Sequence, residues 1–539
     1  MSRNRLSHNR LLLVGLSLSI LVLWRFAANA QSHSATSAAT SGEKTAPAYE
    51  RNTKEAREAK DYVKLNGPLF TEPNKQPWPK PQLAIVLSGE MDGYIEPCGC
   101  TGLENQMGGL KRRHTFLNEL KEKGWPLVEF DMGGLTKRLG HQTEIKFRYA
   151  IDSLVKLGYD AVGLGANELR LTTDELVYAI ANLPPEKNPI LSANVGIYSF
   201  DSGMTRTHHV AEAGGKRIGV TSVLGKKYEK SLANVNDVVY RSPEEGLAEI
   251  APKLATEKCD LQVLMVYGPK AEALALAKKF PQFNFVGVAA GVDVPPLSLE
   301  KVSGTNSVLV EVGHKGKYVV VLGIYDDAKN TLRYQRVPLD ARFDDSSAMQ
   351  KMMVRYQEEL KLQGLEGLGL SGSAHPEGKF VGSEVCADCH SSATEVFENT
   401  PHSHATESII NISVPPRHHD PECLSCHVTG WNPQQYFPYS SGYESLEKTP
   451  HLRANGCENC HGPGAAHVAA ELGESDVNDA EQEALRAALR MKIVENEGNK
   501  SGQVYGKVVE SCMQCHDQDN SPDFDFQKYW EDVKHVGKD

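Results

Sequence analysis

Four times between residues 386 and 516 the chain sets two cysteines three positions apart with a histidine directly after the second. The four are Cys386-Ala-Asp-Cys389-His390, Cys423-Leu-Ser-Cys426-His427, Cys457-Glu-Asn-Cys460-His461 and Cys512-Met-Gln-Cys515-His516. Thiols at that spacing can each form a thioether to one of the two vinyl groups of a single porphyrin. The adjacent imidazole is then held under the iron, which is the attachment pattern of c-type haem. Paired C-x-x-C alone also reads as a zinc site, but a histidine after every pair and an export signal in front of the chain favour haem. The expectation is four covalent c-type haems, with His390, His427, His461 and His516 as proximal iron ligands.

Four irons with two axial histidines each need four further imidazoles. Residues 380–539 offer seven: His402, His404, His418, His419, His451, His467 and His535. The count permits full bis-histidine ligation without requiring it, and any one spare imidazole has a solvated or structural reading beside it. From about Val381 to His535 the chain resembles the tetrahaem cytochrome c-554 family. The likeness rests on His402 twelve residues after His390 within Asn-Thr-Pro-His-Ser-His-Ala, on Asp420-Pro-Glu-Cys-Leu-Ser-Cys-His-Val-Thr-Gly430, and on Gly456-Cys-Glu-Asn-Cys-His-Gly-Pro-Gly464. It implies that the distal ligands cross over between motifs. His467 would serve the first haem, His402 the third and His535 the fourth. The second haem, on His427, would be five-coordinate unless His404, His418 or His419 caps it.

The elements that must position these ligands follow from size. Four porphyrins in so short a stretch leave little polypeptide for a conventional core, so the macrocycles would be much of the interior, close enough for electron hopping. Glycine and proline around each motif fit short helices and loops, giving a mostly helical and irregular cytochrome region over 380–539. Asp476–Glu495 has a charged helical pattern and reads as a solvated spacer helix. Residues 341–379 read as a helical linker, a helix from Met349 followed by a Gly-rich hinge.

Upstream, over 81–340, short apolar runs (Leu83–Leu87, Leu127–Phe130, Ala161–Leu164, Arg217–Val220, Leu261–Val266) alternate with helical stretches. That alternation predicts an α/β sandwich with outer helices. Ser307–Val312 and Gly316–Leu322 read as an antiparallel addition. The loop order resembles the metallophosphoesterase region of 5′-nucleotidases, with Phe130-Asp-Met-Gly-Gly134 where that family has Asp-x-Gly-Asp and Gly165-Ala-Asn-Glu-Leu169 where it has Gly-Asn-His-Glu. Asn306–Lys317 would be its closing hairpin. The same likeness argues against the activity, because a dinuclear centre needs Asp, His and Asn ligands and here Gly134, Ala166 and Tyr267 stand at such positions. Asp92, Asp131 and Asn167 remain as stray ligands. Cys98 and Cys100 form a C-x-C too tight to bond each other without strain; a metal, a bond elsewhere (Cys259 is the remaining cysteine) and free thiols are all open. Gly108-Gly-Leu-Lys-Arg-Arg113 reads as the start of a surface helix, since it lacks phosphate-loop spacing.

With 40% hydrophobic and 24% charged residues the chain is globular in composition. A net charge of −11 without a basic stripe argues against a nucleic-acid binder. Leu11–Trp24, after Arg3, Arg5 and Arg10 and before Ala28-Asn29-Ala30, reads as a signal peptide over 1–30, or else as an uncleaved anchor. Residues 31–80 read as a flexible linker. The expected protein is exported, to the periplasm or the outer face of the cytoplasmic membrane. It would transfer electrons between periplasmic redox proteins and touch membrane only if the anchor stays; a homo-oligomer is open. An oxidoreductase acting on a small nitrogen species at an open second haem is the alternative, and a metal-dependent phosphoesterase the other.

Overall fold

The computed structural model describes residues 68–539 apart from 97–106, 139, 182, 233–236, 328–330, 413–414, 492–506, 518–519, 522–523, 536 and 538–539. The expected signal segment and Cys98 and Cys100 therefore lie outside the described residues. The described residues fall in one compact unit. None of their helices is long and apolar enough to cross a membrane.

The upstream strands are β1 (Leu83–Ser88), β2 (Leu127–Asp131), β3 (Ala161–Gly163), β4 (Ile190–Leu191), β5 (Val195–Ile197), β6 (His209–Ala213), β7 (Lys216–Leu224), β8 (Val238–Tyr240), β9 (Leu261–Tyr267), β10 (Phe285–Ala289), β11 (Glu300–Lys301), β12 (Val308–Glu311), β13 (Tyr318–Ile324) and β14 (Leu332–Pro338). They form two six-stranded sheets, in the orders β14-β13-β1-β2-β3-β4 and β11-β12-β10-β9-β7-β6, with β5 and β8 as a small separate pair. β1 to β4 run parallel in one sheet and β7, β9, β10 and β12 in the other, as in β1 on β2 and β7 on β9. Both of their faces are covered, which is why Leu83–Ser88 is buried at every residue and its first five are apolar without alternation. Helices α1 (Leu110–Glu122), α2 (His141–Leu157), α3 (Thr173–Ala181), α4 (Pro243–Thr256) and α5 (Lys270–Lys279) lie outside, giving the expected α/β sandwich.

Three expectations need correction. The runs around Val308 and Tyr318 do not pair with each other. β12 lies parallel to β10 in one sheet, while β13 runs antiparallel to β1 and β14 in the other, so 313–317 crosses between sheets and is no hairpin. The tail of the expected linker is packed. Phe70 is buried, edge-on to Trp78 and Trp125 and stacked on Phe116, because aromatic area is worth more against the sheet than in water. The helix expected in the connecting stretch is present as α6 (Ser347–Gly367), but it is no mere linker: its Met349, Met352, Met353, Tyr356 and Leu360 join the sandwich core.

The cytochrome region is built differently. Its helices are short, among them Ser391–Glu398, Pro421–His427, Ala465–Glu471 and Asp479–Leu489. Its own apolar cluster centres on Ile409, Leu424, Val428, Trp431, Tyr443 and Leu452, small beside the sandwich core.

Candidate haem-binding site

Each attachment motif lies in a helical turn: the second and third within Pro421–His427 and Cys457–His461, and the first and fourth over turns in which Cys386 O and Cys512 O accept from His390 N and His516 N at 2.8 Å. In the second, the Asp420 side chain caps Pro421–His427 by accepting from Glu422 N at 3.1 Å. His427 Nδ1 stands 2.7 Å from Ala405 O and His461 Nδ1 2.7 Å from Leu489 O. A carbonyl can only accept, so in both rings Nδ1 carries the proton and Nε2 keeps its lone pair for a metal. His516 Nδ1 is 2.9 Å from Ser521 Oγ.

Three imidazole pairs face each other across gaps of similar width. His390 and His467 have ring centres 6.4 Å apart, His516 and His402 5.9 Å, and His461 and His535 5.7 Å. Imidazoles on opposite sides of one metal ion, each with a metal–nitrogen bond of about 2 Å, stand with ring centres roughly 6 Å apart. The residues present therefore fit an axially ligated iron. Burial holds His402 down at about 4, with His516 and His427 adding to it, and pushes His461, His467 and His516 below the usual imidazole range as well. All four are thus neutral, the ligating form, at pH 7. His418 and His419 face each other at 4.1 Å.

The pairing corrects two assignments that the family likeness implied. His467 opposes the first motif as expected, but His402 opposes the fourth rather than the third, and His535 the third rather than the fourth. The reason is how the motifs stack. The Cys386 thiol stands beside that of Cys457, and the Cys426 thiol beside that of Cys515, so first lies beside third and second beside fourth. The stretch holding His402 is tied to the second motif through Thr406 Oγ1 donating to His427 O at 2.7 Å, which leaves its imidazole beside the fourth.

Two supporting residues were missed in the sequence. Glu458, inside the third motif, is buried and accepts from Val381 N, Gly382 N and Gly464 N at 2.7–3.1 Å, lacing third motif to first. The expected spacer helix, Asp479–Leu489, does more than space: its last carbonyl holds His461.

The second candidate centre, at the carboxyl ends of the sandwich strands, is already engaged. Asp131 is fully buried, ion-paired to Arg113 Nη1 at 3.3 Å and accepting from Ser88 Oγ at 2.6 Å. Asn167 Nδ2 donates to Thr136 O at 3.1 Å, and Asp92 Oδ2 accepts from Lys315 N at 3.4 Å. Among the described residues no group of three or more His, Cys, Asp or Glu stands in a metal-binding cluster. Lys111, Arg112 and Arg113 are buried, so the basic run does not begin a surface helix; Arg112 reaches Leu339 O and Lys111 reaches Glu96. Cys259 is a free thiol.

Residues 385–462 match the family model Cytochrome c554 and c-prime. This c-type cytochrome segment holds the first three motifs, and the fourth lies beyond it. Cytochrome c-554 of Nitrosomonas europaea is 31% identical over 97 residues, covering 16% of this chain and 39% of that protein. Snake venom 5′-nucleotidase of Gloydius brevicauda is 25% identical over 285 residues, 48% of each chain. The chain thus spans less than half the length of either curated relative. Among solved structures, a 5′-nucleotidase precursor from Thermus thermophilus covers 56% of this chain and 62% of its own at 17% identity and TM-score 0.44. Haemophilus influenzae NAD nucleotidase covers 58% and 80% at 14% and 0.42. The chain is similar to cytochrome c-554 in its second part and to 5′-nucleotidases in its first.

Proposed function

We propose that this is an exported electron-transfer protein carrying four c-type haems, one on each of the motifs at Cys386, Cys423, Cys457 and Cys512. The observation that carries the reading is the set of three imidazole pairs at 5.7–6.4 Å, each joining a motif histidine to a distant one. Accordingly His467, His402 and His535 would be the distal ligands of the first, fourth and third irons. When bound, haem supplies a one-electron couple. The polypeptide holds His402, His461, His467 and His516 neutral by burial, orients His427 and His461 through Nδ1, and stacks the first motif with the third and the second with the fourth. Ligation by two histidines saturates an iron and suits it to relay electrons. The partners would be periplasmic redox proteins.

Pyridine haemochrome analysis of the purified holoprotein should give four haems per chain, falling to three in Cys423→Ala/Cys426→Ala. Electron paramagnetic resonance of the oxidised protein should show at least three low-spin irons. Fewer than four haems, or mostly high-spin iron, overturns the reading. Carbon monoxide binding after reduction then reads the second haem: one equivalent bound makes small-molecule chemistry there the next question, and none makes the protein a relay alone.

A further inference from the structure

The polar contacts between the sandwich and the cytochrome region converge on the second motif. Asp420, the cap of its helix, is buried. Its Oδ1 accepts from Gln142 Nε2 at 2.8 Å and its Oδ2 from Gln357 Nε2 at 2.9 Å. Gln142 also reaches the Tyr356 hydroxyl at 2.9 Å, so α2 and α6 hold this carboxylate together. Glu422, the residue before Cys423, is gripped by Lys146 Nζ at 2.6 Å and Arg138 Nη1 at 2.9 Å. The Arg138 guanidinium lies 3.3 Å from the ring centre of Tyr436, a residue held in the left-handed region at φ 59°. Just upstream of Asp420, Arg417 Nη2 reaches Glu96 at 2.6 Å, and Glu96 in turn holds the buried Lys111 at 2.6 Å.

The first and third motifs are secured from within the cytochrome region, and the fourth also has Lys315 of the sandwich near Asp517. First and third are laced through Glu458 and through Ser383, whose Oγ accepts from Cys457 N; the fourth is tied through Gln434 to Gln514 O. Charged and amide groups sunk between two regions lose water and recover that cost only when each finds its partner in good geometry. A surface made this way specifies one orientation far better than an apolar one would. The residues making it come from the same strand-end loops and helices in which Asp131 is bound to a guanidinium and strand-end positions carry Gly134, Ala166 and Tyr267.

We propose that the α/β sandwich serves as a holder for the second haem-attachment helix, with Gln142, Gln357, Lys146 and Arg138 as positioning residues that set that haem's orientation and reduction potential. The inference rests on the second motif carrying a haem, as argued above. Lys146 and Arg138 together offset the Glu422 carboxylate beside the thioether position at Cys423. Removing one cation leaves extra negative charge near the iron, favours the ferric form and lowers the potential of that haem alone.

The test uses the holoprotein with Lys146→Met, Lys146→Arg and Gln142→Ala. After haem counting, each is followed by a spectroelectrochemical titration and electron paramagnetic resonance. The expected result is four haems retained, with one of them titrating at lower potential and with a changed signal in Lys146→Met. The other three stay unchanged, and Lys146→Arg restores the parent behaviour. Gln142→Ala removes a donor and no charge, so it covers the case in which Lys146→Met fails to fold; it should change the signal of the same single haem. Four haems that all keep parent signals and potentials, or that all shift together, overturn the holder. A parent protein whose haem count does not fall in Cys423→Ala/Cys426→Ala overturns instead the reading beneath it.

Discussion

At the scale of single residues the structure ties each distal imidazole to a particular motif, and double substitution can check this. If His402 and His516 flank one iron, then His402→Ala/His516→Ala disturbs a single low-spin signal, while His535→Ala/His516→Ala disturbs two, since partners at one site do not add. The reverse outcome restores the order implied by the family likeness. A second prediction concerns Glu90, which sits with Asp92 in the loop after β1; both have left-handed backbones, at φ 47° and 53°. Burial, the largest influence, raises the Glu90 carboxyl to about 7, against the opposing pull of a hydrogen bond from the Ala290 backbone. A carboxyl raised on folding binds its proton more tightly in the folded state. Its stabilising contribution is therefore complete below pH 4.5 and is lost as the pH rises through about 7. Glu90→Gln should match the parent in thermal melts near pH 4 and exceed it at pH 8, by at most about 3 kcal/mol for a shift of this size. Parallel curves at every pH would show that the carboxyl is not perturbed.

At the scale of elements, α1 begins with a buried pair. Arg113 and Asp131 are both inaccessible to water, and removing one partner of such a pair costs about 3–5 kcal/mol because the other is left charged and dry. Arg113→Met should lose about that much in urea unfolding, and Arg113→Met/Asp131→Asn should recover part of it. The helix Asp479–Leu489 offers a sharper readout. Its last carbonyl accepts from His461 Nδ1, which makes that imidazole a stronger electron donor. Replacing 479–489 by a Gly–Ser segment should raise the potential of the haem proposed on the third motif and leave the other proposed haems in place; no change would show the contact to be idle. Much at this scale was legible in the sequence. The sandwich announced itself through unbroken apolar runs such as Leu83–Leu87, and the motifs through their spacing. What was not legible depends on long-range partners: that Arg112 and Arg113 point inward, that 313–317 crosses between sheets, and that Leu489 O meets His461. A basic triplet looks the same in sequence whether it faces water or a buried carboxylate.

At the scale of the molecule, sandwich and cytochrome region lie in one compact unit joined through buried charge. Thermal or denaturant unfolding followed by far-ultraviolet circular dichroism and by the Soret band should therefore give coincident transitions; two separated transitions would show that the regions melt independently. The order in which the motifs stack has a consequence for biogenesis. The first motif lies against the third and the second against the fourth, so spatial neighbours are not only consecutive ones; the third also meets the fourth and, through Asn459 Nδ2 to Val428 O at 2.9 Å, the second. A chain made from its amino end therefore presents the first and second motifs well before these partners exist. The first must wait some seventy residues for the third (386 to 457), and the second some ninety for the fourth (423 to 512). Closing such loops is slow compared with forming a local turn. Maturation of this protein is thus a problem of keeping half-built sites open and unaggregated until their partners arrive.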